Sequence, residues 1–199
     1  MIDRSRYNHI RGKHGHYASW AVWAEGAHKP KDRIGDLSVL DVDRNPGILR
    51  QLKPGIVLVG LNISREIMTP LANFHDARPQ AMDFKIRHAL KNTPLWGAYM
   101  TDVIKGYEQK VSGKMMAYLR ANPQFERDNI RKFRRELADL GAGSPILVAF
   151  GGDAHRILSR NFAGEYEIFR LPHYSNYCAM EKYREQVACV LKRMNKAIS

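Results

Sequence analysis

Residues 54–60, Pro-Gly-Ile-Val-Leu-Val-Gly, decide the fold class. Ile56–Gly60 is apolar at every position, has the length of a strand and is bounded by turn residues. A strand with one wet face alternates apolar and polar residues. A strand without alternation is buried on both faces, as in the middle of a parallel sheet. Three further runs share this texture: Gly97–Ile104 (GAYMTDVI), Ile146–Phe150 (ILVAF) and Tyr166–Leu171 (YEIFRL). Helical patterns separate them. Gln80–Lys91 is apolar at Met82, Ile86, Ala89 and Leu90. Phe125–Leu140 puts Ile130, Phe133, Leu137 and Leu140 on one face and is stopped by Gly141-Ala142-Gly143. Asp153–Ser159 follows Gly151-Gly152, with Asp153 as its N-cap. Met180–Ala197 is apolar at Val187, Val190, Leu191 and Met194. Strands alternating with helices predict an α/β protein: a three-layer α/β/α sandwich around a mainly parallel, four-stranded sheet. Residues 1–50 read differently. They hold four of the eight histidines and one helical patch, Tyr17–Glu25 (YASWAVWAE). They read as an extension with loops, packed on a core spanning 54–195, so residues 1–199 form a single domain.

Composition narrows the function. Lys and Arg number 32 against 20 Asp and Glu, a net charge of +12, with 44% hydrophobic residues. That content excludes a disordered chain. No stretch approaches the ~18 apolar residues of a membrane span. The first residues, MIDRSRYNHIRGKHGHY, lack the apolar core of a secretory signal. Cys178 and Cys189 have no zinc or iron–sulfur spacing. The expectation is a cytoplasmic monomer that binds no membrane and needs no metal or cofactor. The excess positive charge points to a polyanion, most often nucleic acid, with a merely solvated surface as the alternative.

Ligands of open α/β sheets bind beyond the carboxyl ends of the strands. Gly60-Leu61-Asn62 ends the first strand, Thr101-Asp102 the second, Gly151-Gly152-Asp153 follows the third, and Pro172-His173-Tyr174-Ser175 the fourth. The fold therefore gathers Asn62, Asp102 and His173 at one rim. Singly, each has an ordinary alternative: a turn, a helix cap, a satisfied polar group.

In this order the segments resemble the uracil-DNA glycosylase superfamily. Gly60-Leu61-Asn62 matches its first motif, Gly-x-Asp/Asn/Glu-Pro, and His173-Tyr174-Ser175 its His-Pro-Ser-like second motif. Tyr99–Lys105 (YMTDVIK) is similar to the middle segment Tyr-x-Thr-Asn-Val-Val-Lys, and Ile146–Leu158 to the third strand, glycine turn and helix. The likeness covers roughly residues 54–195. Ile63 and Tyr174 stand where the family has prolines, and the iron–sulfur cysteines of some branches are absent.

The resemblance implies a monofunctional DNA glycosylase that hydrolyses the N-glycosidic bond of a flipped-out base and leaves an abasic site. The departing base becomes anionic and the sugar oxocarbenium-like. Asn62 resembles the residue that positions the attacking water. His173 resembles the donor to the base O2. Phe74, twelve residues after Asn62, falls near the family's stacking aromatic, with core packing as the alternative. Gly60, Leu61, Phe74 and Asp102 make up the implied base-binding set. Ser64, Arg65, Lys105, Ser175, Asn176 and Tyr177 make up the DNA-contacting set, with Ser175 as a phosphate contact and Tyr177 as a wedge filling the gap left by the flipped base. Lys110, Lys114, Arg11 and Lys13 are further phosphate candidates. The basic face of Phe125–Leu140, with Arg127, Arg131, Lys132, Arg134 and Arg135, is expected behind the sheet.

Asp102 suggests the base. Uracil-excising branches carry Asn there, which matches both O4 and N3–H of uracil. An ionised carboxylate only accepts, so it would oppose O4 of uracil but take the exocyclic amino group of cytosine. A modified cytosine is the expected target, because excising plain cytosine would be toxic, and defence against modified phage DNA is the matching role. A protonated Asp102 donating to O4, and hence uracil or another deaminated base in repair, is the alternative. A non-catalytic nucleic-acid-binding module is the rival from another class. A metal enzyme built on His9, His14, His16 and His28 fits no ligand spacing. Gly151-Gly152-Asp153 lacks the Gly-Lys-Ser/Thr end of a P-loop.

Overall fold

A computed structural model describes residues 2–26 and 28–198, with side chains through Met194. Five strands form one sheet: β1 (Ser19–Trp20), β2 (Lys53–Asn62), β3 (Ala98–Ile104), β4 (Ile146–Phe150) and β5 (Ile168–Leu171). Their order is β1-β3-β2-β4-β5, with β1 antiparallel to β3 and the other four strands parallel. The expected four-stranded sheet is thus corrected to five, and the extra edge strand comes from the N-terminal region. Among the described residues six α-helices accompany the sheet: α1 (Arg4–His14), α2 (Asp83–Leu90), α3 (Ser112–Ala121), α4 (Pro123–Leu140), α5 (Gly152–Phe162) and α6 (Met180–Ile198).

The period-2 alternation of the strands divides the interior in two. Val57, Val59, Leu61, Tyr99, Val103, Leu147 and Ala149 join one apolar cluster with residues of α1, α3, α4 and α5. Leu58, Ala98, Met100, Val148 and Phe150 join a second with Ile86, Ala89 and Leu90 of α2 and Tyr183, Val187 and Val190 of α6. Gly141, with φ +65°, caps α4 in the left-handed conformation that glycine adopts without a Cβ penalty. None of the described helices is long and apolar enough to cross a membrane.

Three local expectations are corrected. Tyr17–Glu25 is extended, not helical. Trp20 and Val22 enter the first cluster, whereas Ala21 and Trp23 enter the second. A two-sided alternation of this kind belongs to a buried edge strand. The N-terminal helix lies instead at Arg4–His14. Asp3 accepts a hydrogen bond from the Arg6 amide at 2.8 Å as its N-cap, and Tyr7, Ile10 and His14 are its only buried residues. Eight charged or polar residues beside two buried apolar ones, Tyr7 and Ile10, obscure the pattern. Asp153 is not an N-cap: Gly151 takes that position with φ +89°, and Asp153 in the first turn pairs with Arg156 at 2.7 Å. Helix α3, buried through Met115, Met116 and Leu119, has a clear i, i+1, i+4 pattern that the strand-centred reading passed over.

Candidate active site

Strand β2 is central, and the chain leaves it first toward β3 and later toward β4 on the other side. That reversal opens a crevice at the carboxyl ends of the strands. A cleft of about 1210 Å³ occupies it. Gly60, Leu61, Asn62, Ser64, Arg65, Phe74, Asp102, His173, Ser175 and Asn176 line it, so the structure brings together ten of the twelve residues singled out from the sequence. Lys105 and Tyr177 are the exceptions.

Strand geometry places the polar residues. Gly60 and Asn62 are two apart and share a face of β2; Gly60 pairs with Asp102 of β3. Asp102 continues the Ala98–Met100 row, at the point where the apolar side chains of the second cluster give way to the cleft. A Cβ on Gly60 would lie 2.2 Å from Asp102 Oδ1 and 3.3 Å from the tip of the Phe74 ring. Only glycine lets the carboxyl and the ring close over the strand here. Phe74 has φ +63°, a conformation that costs a bulky residue energy and is retained where the surroundings impose it. Its amide donates to Asn73 Oδ1 at 3.1 Å, its carbonyl accepts from Trp23 Nε1 at 3.2 Å, and its ring lies 5.9 Å from that of Phe150.

Each polar group has one end tied and one end free. Asn62 Nδ2 donates to the carbonyls of Ile63 at 2.8 Å, Gln109 at 2.9 Å and Tyr107 at 3.3 Å. Three acceptors identify that atom as nitrogen and leave Oδ1 as an acceptor for a ligand or water. His173 Nδ1 accepts from the Ser175 amide at 3.2 Å and lies 2.7 Å from Ser175 Oγ. Burial lowers its pKa. The ring is therefore the neutral tautomer with a proton on Nε2, a donor. Tyr174 stacks on it at 4.5 Å, and a Cβ on Gly151 would lie 3.3 Å from the His173 Cβ, so glycine there gives the ring room.

Asp102 is buried, and its Oδ2 accepts from Asn73 Nδ2 at 2.8 Å. No hydrogen bond from the described residues reaches Oδ1. Desolvation raises its pKa to about 7, against the Asn73 hydrogen bond and the charge of Lys105, and Glu136 and Asp83 push it the same way as burial. Asp83, at the start of α2, also lines the cleft; burial lifts it to about 6 although the Asp76 amide donates to it at 2.8 Å. Asp76 is buried enough to be raised, yet Arg78 and Arg65 hold it below the usual carboxylate range.

One expected DNA contact, Lys105, is corrected. Lys105 is 4% exposed. Its Nζ donates to the Asp102 carbonyl at 2.5 Å and pairs with Glu136 at 2.6 Å, and Tyr99 donates to the same glutamate at 2.7 Å. A cation walled in on the far side of β3 cannot meet a phosphate; it braces the strand beneath Asp102. The Ser175 hydroxyl is engaged with His173. Lys13 is paired with Asp139 at 2.7 Å. Arg65 lines the cleft with its charge partly offset by Asp76 at 3.5 Å. Tyr177 stands wholly in solvent on the loop beyond the cleft lining. Helix α4 packs through Ile130, Phe133, Leu137 and Leu140 on the face opposite the cleft, and its Arg131 and Arg134 pair with Asp128 and Glu165. Sequence reading missed Asn73 and Asp83. Asn73 lies beside Phe74 in the polar segment between β2 and α2, and Asp83 opens α2, but neither sits at a strand end.

Searches of protein-family models, curated proteins and solved structures returned no match to this chain.

Proposed function

We propose that this protein is a monofunctional DNA glycosylase, built as a three-layer sandwich like the uracil-DNA glycosylase fold, that releases a modified cytosine. The observation that carries the reading is the bare Asp102 Oδ1 beside Gly60, with Oδ2 tied to Asn73. An oxygen so held accepts a hydrogen bond from an exocyclic amino group such as N4 of cytosine. His173 Nε2–H donates to the base O2 as the leaving anion forms. Asn62 Oδ1 orients the water that attacks the sugar, a positioning role, because an amide is a poor base. Phe74 is the aromatic wall against which the flipped base stacks. Excess positive charge holds the phosphates without reading sequence. A target limited to modified cytosine suits genome defence.

A second reading has its own observation. The pKa of Asp102, raised to about 7 by burial, keeps a fraction of the carboxyl protonated at neutral pH. Asn73 donates to Oδ2, so that proton resides on Oδ1, where it donates to O4 of uracil.

An oligonucleotide panel carrying a single uracil, cytosine or modified cytosine, scored for abasic sites, separates the two. Release of a modified cytosine is expected. Release of uracil alone sinks the cytosine assignment. Release of nothing, with DNA bound as tightly by Asn62→Ala and His173→Ala as by the unaltered protein, favours the non-catalytic module.

A further inference from the structure

Three large apolar side chains are exposed among the described residues: Met68 at 74%, Val111 at 51% and Tyr177 completely. All three occupy loops at the carboxyl ends of strands, after β2, β3 and β5 respectively. Each adjoins a residue of the cleft wall: Met68 follows Ile67, Val111 lies between Lys110 and Ser112, and Tyr177 follows Asn176. A single exposed apolar residue is ordinary on a protein surface; the observation here is that all three ring one opening.

Each tip is also fastened. His16 Nδ1 donates to the Ile67 carbonyl at 2.8 Å. Gln109 Oε1 accepts from the Val111 amide at 3.0 Å, and the same residue's carbonyl accepts from Asn62 at 2.9 Å. The buried Lys85 donates to the carbonyls of Asn176 at 3.0 Å and Cys178 at 2.9 Å, clamping the chain on both sides of Tyr177. The Gln109 amide further donates to the Ile63 carbonyl at 3.3 Å, which ties the Val111 loop to the β2 loop that carries Met68. Two linked tips thus stand on the β2–β3 side of the cleft and one on the β5 side. Arg65, Lys110 and Lys114 accompany the linked pair, and Lys110 and Lys114 are exposed without an ion-pair partner within reach among the described residues. Apolar tips set among cations match the chemistry of duplex DNA, with stacked bases inside a rail of phosphates.

We propose that Met68 and Val111 form a second apolar arm, facing the Tyr177 loop across the cleft, and that it packs into the unstacked step of a DNA duplex while neighbouring cations hold the phosphates. The occupant is double-stranded DNA, whose stack both arms open. The arm rests on the glycosylase reading only for what then happens to the exposed base.

The test uses the full chain with a duplex holding 2-aminopurine beside a cytosine that lacks its partner. Unaltered protein is expected to raise the 2-aminopurine fluorescence as the step unstacks. The pair of exposed substitutions Met68→Ser with Val111→Ser should weaken duplex binding roughly tenfold and abolish most of the rise. Affinity for the same strand without its complement should stay unchanged. Lys110→Ala should instead weaken both forms and reduce the salt slope by about 0.9 or less. Equal fluorescence from the double variant, an equal loss on single and double strands, or no rise with unaltered protein overturns the second arm. Abasic sites are scored separately: a protein that raises the fluorescence yet releases no base from any oligonucleotide of the panel refutes the glycosylase and leaves the arm standing.

Discussion

Asn73 Nδ2 donates to Asp102 Oδ2 at 2.8 Å, with both side chains buried and Asn73 also bonded to the Tyr17 carbonyl at 2.6 Å. One carboxyl oxygen is thereby occupied and the other faces the cleft. The N-terminal segment takes part in this through the Tyr17 carbonyl, so a region without any motif helps orient the carboxyl proposed to read the base. Asn73→Ala should lower stability by about 1–3 kcal/mol, because it leaves Asp102 and the Tyr17 carbonyl short of a donor. It should also raise the pKa of Asp102, since the lost hydrogen bond favoured the charged form. Thermal melts and the pH profile of base release read the two effects separately.

The pH dependence follows from the carboxyls. Asp102 rises to about 7 and Asp83 to about 6 on folding. Each is therefore protonated in the folded protein over a range where the unfolded chain has already released its proton. Their contribution to stability is greatest near the ordinary carboxylate range and declines as pH rises to about 7, the reverse of a salt-bridged aspartate. On the proposed reading, release of a modified cytosine needs ionised Asp102, so its rate should climb with pH through about 7, and Asp102→Asn should erase that limb. A rate on uracil that falls over the same interval would assign the protonated form to catalysis.

Gly60→Ala tests the close approach at the floor of the cleft. Its Cβ would meet Asp102 Oδ1 at 2.2 Å, so the carboxyl must swing away or the strands must part. We expect at least a hundredfold loss of base release, about 2.7 kcal/mol, with the far-ultraviolet circular dichroism retained. Unaltered release would show that the position of Asp102 Oδ1 is irrelevant to the reaction.

In the proposed reaction His173 and Asn62 act at different atoms. Removing the Nε2–H donor with His173→Ala should cost about 10²–10³ in rate. Asn62→Ala should slow the chemical step while leaving DNA affinity within about twofold, because the role proposed for Oδ1 is toward a water and not the phosphates. Single-turnover rates combined with equilibrium binding distinguish these outcomes.

Beneath the site, the Lys105–Glu136 pair is buried at 4% and 0% exposure. Glu136→Ala would leave an unpaired cation and should destabilise the fold by about 3–5 kcal/mol. Chemical denaturation would reveal it. A loss below about 1 kcal/mol would show that water reaches Lys105 from behind β3.

Much of this architecture was legible in the order of residues. Uninterrupted apolar runs of strand length bounded by turn residues, such as Ile56–Gly60 and Ile146–Phe150, favour a strand covered on both faces. Polar groups that end such runs, Asn62, Asp102 and His173, must then emerge on one edge. The edge strand escaped notice because Tyr17–Glu25 is rich in alanine and tryptophan, and its two-faced burial becomes visible only once β3 lies beside it. Helix α1 escaped because its apolar residues are few.

The sequence by itself determined the parallel core of the sheet, helices α2, α4, α5 and α6, and the rim on which Asn62, Asp102 and His173 meet, because hydrophobic periodicity is a local property wherever apolar residues are frequent enough to show it. Tertiary structure alone decided what those groups can do. The tautomer of His173 follows from the Ser175 amide, the free oxygen of Asn62 from carbonyls 45 and 47 residues away, and the half-occupied carboxyl of Asp102 from Asn73. It also turned Lys105 from a surface cation into a buried brace. Hydrogen-bond partners and dielectric surroundings are supplied by distant chain segments, so protonation and orientation exist only after the chain has closed around them.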